Sequence, residues 1–168
     1  AGTPLLKAFR YLINEAAAVL SNEKLDSKAP KINDVARAFF EAPATRIVCV
    51  KLPPEATDEE DMVGLLQLSL YGAKDAAANF QNEVRKIKLV LGFSQYGYNP
   101  SIYFQSRWWL RTLVHGDDFV TCGSPSDAAW FRAALEKRFE IKAKVVGLGN
   151  GETKEERVLG RVIRCSTT

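Results

Sequence analysis

Two adjacent aspartates, Asp117 and Asp118, stand where one apolar run ends and the next begins, in the stretch LVHGDDFVTCG. Neighbouring carboxylates repel unless a cation neutralises them, and oxygen ligands on a short fixed turn suit Mg2+, which keeps several waters and takes few protein ligands. The same Gly-Asp-Asp is also a good turn sequence, because Gly tolerates turn dihedrals and Asp bonds its own nearby backbone. Taken alone, the stretch leaves both a plain hairpin turn and a metal-binding tip open. A third carboxylate would complete a metal site, and Asp34 offers one at the end of the short run that opens KINDVARAFF.

Other site chemistries are harder to assemble. His115 is the only histidine, which removes any His-rich cluster and any two-histidine mechanism. Cys49, Cys122 and Cys165 are odd in number and far apart, with no C-x-x-C pair, so neither a zinc site nor a disulfide framework is indicated. Catalysis, if present, must run on carboxylates, Lys, Tyr or Ser.

The elements that position these residues follow from periodicity. Thr3 and Pro4 mark a helix start, and Leu5, Phe9, Leu12, Ile13, Ala16 and Leu20 recur at helical spacing. KINDV predicts a short strand stopping near Asp34, and TRIVCVKLPP is the strongest β-branched run, ended by its double proline. Phe80, Val84, Ile87 and Leu91 form one stripe of a long amphipathic helix, with Gly92 as its C-terminal stop. SIYFQSR, WWLRTLVH and DFVTCG read as antiparallel strands joined by tight turns. SPSDAAWFRAALEKRFEIK opens with capping residues and predicts a second covering helix, and RVLGRVIRC one more strand. The basic segments NEVRKIK and EKRFEIKAK read as solvated helix faces before a phosphate track. The expected fold is α+β, an antiparallel sheet covered on one face by helices.

With 168 residues, 46% of them hydrophobic, the chain is long enough for one domain with a proper core. A net charge of +3 permits a nucleic-acid partner without demanding one. No apolar run approaches the roughly 20 residues that span a bilayer, and the N-terminus lacks the order of a signal peptide. The expectation is a soluble, intracellular chain. Its first residue is Ala and a helical pattern follows almost at once, as in a segment of a longer polypeptide.

Four blocks in order carry a resemblance: Asp34-Val35-x-x-Ala38-Phe39-Phe40, then SLYGAKDAAANF, then GDD, then VLGRVI. Together they resemble the reverse transcriptase of copia-type retrotransposons, over the palm and part of the fingers. The resemblance implies a polymerase palm-like sheet with a truncated fingers region. The basic fingers strands, RNase H and integrase of the parent polyprotein are expected to lie outside this segment. It also implies an RNA-directed DNA polymerase that adds deoxynucleotides to a primer 3′-hydroxyl with two Mg2+ or Mn2+ ions. In that alignment Asp34, Asp117 and Asp118 are the catalytic metal ligands, and the Val35 carbonyl assists. Phe39 lies under the sugar and excludes a 2′-hydroxyl, Tyr71, Gly72 and Lys74 flank the incoming nucleotide, and Leu159 and Gly160 grip the primer end. The implied partners are a primed RNA or DNA template, deoxynucleoside triphosphates and other parts of the polyprotein, with no membrane, in a cytoplasmic setting with nuclear access.

The sequence departs from that pattern at His115-Gly116, where the family commonly has an aromatic residue and one other before Asp-Asp, and at Asp75-Ala76-Ala77, where it has Gln-Ala-Pro. A truncated, catalytically inactive remnant that binds nucleic acid is therefore the alternative expectation.

Overall fold

A computed structural model describes residues 6–20, 30–56 and 62–166, with the side chains of residues 18–20 left out. Thr3, Pro4, Leu5 and the Leu20 side chain, part of the expected first-helix pattern, thus lie outside the described residues. Helix α1 (Leu6–Leu20) buries Ala8, Phe9, Leu12 and Ala16, a spacing of three to four residues that keeps one stripe toward the interior. Strand β1 (Lys31–Val35) follows, then a 3-10 helix at Ala38–Glu41. The strands β2 (Cys49–Lys51) and β3 (Val63–Leu65) pair only with each other. TRIVCVKLPP thus gives three paired residues instead of a long strand, and Cys49 and Lys51 are exposed.

Helix α2 (Ala76–Val90) packs Phe80 and Val84 inward and stops at Gly92, whose φ of 78° is left-handed. Next come β4 (Ser94–Gln95), β5 (Ile102–Gln105), β6 (Leu110–His115) and β7 (Asp118–Cys122). Helix α3 (Pro125–Glu136) begins where the Ser124 hydroxyl accepts the Asp127 N–H, with Pro125 at its first position. It ends before FEIK, so the expected helix over that segment gives way to β8 (Ile141–Val145). The final run is not one strand but a hairpin of β9 (Glu155–Val158) and β10 (Arg161–Arg164).

Six strands form the main sheet in the order β4-β5-β6-β7-β1-β8, every neighbour antiparallel. Alternation along the strands divides the core into two. One side holds Val35, Tyr103, Leu110, Val114 and Phe119 with Phe80 and Val84 of α2 and Phe131 and Leu135 of α3. The other holds Ile32, Ile102, Leu113, Val120 and Cys122 with α1 and Val158 of β9. The sheet therefore carries helices on both faces, correcting the one-faced arrangement expected from sequence. The cause is visible in β6 and β7, where consecutive residues Thr112, Leu113 and Val114, and Phe119 through Cys122, are all buried. A strand apolar on both sides must be covered on both sides. Leu12, with no exposed surface, anchors the α1 layer; truncating such a residue to Ala costs about 2–5 kcal/mol.

Candidate metal and active site

The antiparallel register brings the acidic residues together. Asp34, the fourth residue of β1, stands opposite Asp118, the first of β7, and Asp118 also pairs with His115 at the end of β6. Gly116 and Asp117 form the two-residue loop between them. Gly116 has φ 59° and Asp117 is not left-handed, the pattern of a type II′ hairpin turn, which takes glycine at its first loop position. The Val35 N–H donates to the Asp117 carbonyl at 3.1 Å, tying the end of β1 to this turn. One carboxylate oxygen from each of Asp34, Asp117 and Asp118 lies within 4.8 Å of the others.

Strand alternation puts Asp34 with Ile32, and Asp118 with Val120, on the face covered lower down by α1. Asp34 and Asp118 are half-buried and Asp117 is exposed, so the cluster opens to solvent at the end of the sheet. Burial first, then the charges of Asp117 and Asp34, push the Asp118 carboxyl up to about 6, against an opposing pull from His115. The Nδ1 of His115 is buried with no hydrogen-bond partner among the described residues.

The other residues singled out in the sequence fall into two groups. Phe39, in the 3-10 helix, stacks on Tyr71 at 4.5 Å between ring centres and meets Phe80 edge-on at 6.3 Å. Gly72 follows at φ 89°, which turns the chain toward α2, and Lys74 is exposed in that turn. Asp75, just before α2, does not cap the helix with its side chain; its carboxylate instead binds Arg46 at 3.0 Å. Leu159 and Gly160 lie apart from the main sheet, at the tip of the β9–β10 hairpin, with φ 52° and 71°. Two successive left-handed residues fit a type I′ turn. The hairpin is held beside β8 by a 2.8 Å Lys144–Glu156 ion pair and by buried Val158.

Phe40 was not among the expected site residues, yet its ring meets Tyr71 edge-on at 5.4 Å and extends the Phe39, Tyr71 and Phe80 group to four rings. The adjacent Phe39-Phe40 pair was the signal for it. Of the basic segments read as solvated helix faces, Lys88 is a clear exception, being completely buried. None of the described helices is long and apolar enough to cross a membrane. No protein-family model matches the chain, and comparison with curated proteins finds no match.

Proposed function

We propose that this chain is the palm-centred part of a copia-type retrotransposon reverse transcriptase, an RNA-directed DNA polymerase. The observation that carries the proposal is the convergence of Asp34 with Asp117 and Asp118 at the open end of an antiparallel sheet. Three carboxylates so close repel one another, which adds to burial in raising the Asp118 pKa, and hard oxygen donors of this kind fit Mg2+ or Mn2+. Asp34, Asp117 and Asp118, with the Val35 carbonyl, would hold two such ions. When bound, the ions acidify the primer 3′-hydroxyl and neutralise charge on the triphosphate.

The chain's own groups supply the rest of the site. Phe39, braced by Tyr71 and Phe80, forms a rigid aromatic wall suited to reject a 2′-hydroxyl on the incoming sugar. Tyr71, Gly72 and Lys74 bind the nucleotide, with Lys74 offering its ammonium to phosphate. Leu159 and Gly160 hold the primer end on their hairpin. The partners are a primed RNA or DNA template, deoxynucleoside triphosphates and the rest of the polyprotein, in the cytoplasm with access to the nucleus.

The test is Mg2+-dependent primer extension on an RNA template, using this chain within its parent polypeptide. Extension that is lost in Asp117→Asn supports the proposal, and full activity in that variant removes the metal site. A second proposal, nucleic-acid binding without catalysis, is favoured by His115-Gly116 in place of the family's aromatic pattern. Primer-template binding with no extension in either Mg2+ or Mn2+ would select it.

A further inference from the structure

Lys88 projects from α2 into the core between that helix, α3 and the sheet, with none of its surface exposed. Its Nζ lies 4.3 Å from the ring centre of Tyr103, 5.1 Å from Phe119, 5.5 Å from Phe131 and 5.6 Å from Phe93. It donates to Thr112 Oγ1 at 3.3 Å, and Thr121 Oγ1 donates to the same oxygen at 3.1 Å.

An ammonium brings three N–H donors and a full charge to this position. One hydroxyl oxygen accepts from it, and that oxygen is already shared with Thr121. The rings attract a cation, but weakly beside the loss of an entire hydration shell. A carboxylate would change the balance, and none faces Lys88 among the described residues. From β5 comes Tyr103, whose phenol is itself pushed up by burial with Arg85 acting against it. From β6 and β7 come Thr112, Thr121 and Phe119, and from α3 and the turn after α2 come Phe131 and Phe93. Burial drives the Lys88 amine well below the ordinary lysine range, and no neighbouring charge contributes.

We propose that Lys88 is a proton-sensitive latch: the folded chain holds it as an uncharged amine, and acidification loosens the packing of α2 and α3 against the sheet. The inference stands independently of the polymerase proposal. Its sign follows from linkage. The unfolded chain protonates Lys88 below the ordinary value of 10.5, while the folded chain resists protonation to a much lower pH. The stabilising contribution is complete above 10.5 and is lost as pH falls through that window toward the folded pKa. At full effect the folding equilibrium changes about tenfold per pH unit, or about 1.4 kcal/mol.

Urea unfolding of the whole chain, compared with Lys88→Met from neutral to alkaline pH, tests the proposal. The native chain should gain stability relative to the variant by up to about tenfold per pH unit as pH rises. The variant, with a similar volume and no charge to remove, should be the more stable of the two near neutrality. Parallel curves, or a less stable Met variant at neutral pH, would overturn the latch. Should the variant not fold, NMR of 13Cε-labelled lysines in the native chain decides: a Lys88 resonance in the amine form at mildly alkaline pH supports the proposal, and a fully ammonium resonance there overturns it.

Discussion

Asp34 and Asp118 are register partners across the β1–β7 pair, so two carboxylates half the chain apart become neighbours on one sheet face. Asp117, on the adjoining turn, adds the third, and the Val35 N–H bond to its carbonyl holds the turn against β1.

Removing one charge should relieve this crowding when no divalent ion is present. The folded pKa of Asp118 is raised to about 6, so its contribution is stabilising below the usual value of 3.8 and is lost as pH rises through about 6. Asp118→Asn in a chelator is expected to be more stable than the native chain at mildly alkaline pH. The gain should be about 1 kcal/mol after discounting for solvent screening, and should fade by about pH 4. Urea midpoints across that range measure it. Added Mg2+ should stabilise the native chain and leave the variant nearly unchanged, which calorimetric titration checks directly.

At Gly116 the cost is conformational. A Cβ there meets no atom within 4 Å, so only the φ of 59° opposes a side chain. Gly116→Ala should therefore lose about 1–2 kcal/mol, and Gly116→Asn less, because Asn tolerates the left-handed region. Equal losses for the two variants would show that the turn has another shape in solution.

Phe39 lies against Tyr71 and Phe80, and its truncation should have two separable effects. Loss of the ring contacts lowers stability by about 0.5–1.5 kcal/mol. If the ring also walls off the sugar, Phe39→Val should raise incorporation of ribonucleotides relative to deoxynucleotides on the order of tenfold or more. Primer extension with each nucleotide class measures the ratio, and an unchanged ratio would reduce Phe39 to a packing residue.

The start of α3 offers a control remote from the carboxylates. Ser124 accepts the Asp127 N–H through its side chain, so Ser124→Ala should cost about 1 kcal/mol in thermal or urea unfolding while Mg2+ binding stays unchanged.

Much of this architecture is visible in the chain itself. The stripe of Phe80 and Val84 locates α2, Ser124-Pro125 locates the start of α3, and the short β-rich runs of β5, β6 and β7, joined by tight turns, announce an antiparallel sheet with Asp117 at a hairpin tip. Sidedness is less legible, because the Phe9, Leu12 and Ala16 stripe says that α1 buries a face without saying which side of the sheet receives it. Ile47 and Val48 in TRIVCVKLPP show why a β-branched run alone is weak evidence: neither lies within β2, which begins at Cys49. Lys88 is missed for a simpler reason, since composition places a lysine outside and only the packing of four rings around its amine puts it inside.

The pairing of Asp34 with Asp118 also makes the acidic cluster a gauge of strand alignment. Sliding β7 by one position along β1 would turn Asp118 toward the α2 and α3 side and send Phe119 out to the solvent-open end. Nothing intermediate is available, because successive residues of a strand point to opposite sides. Cation-dependent stabilisation would therefore report, in one measurement and without any turnover, that the two halves of this sheet have joined in step.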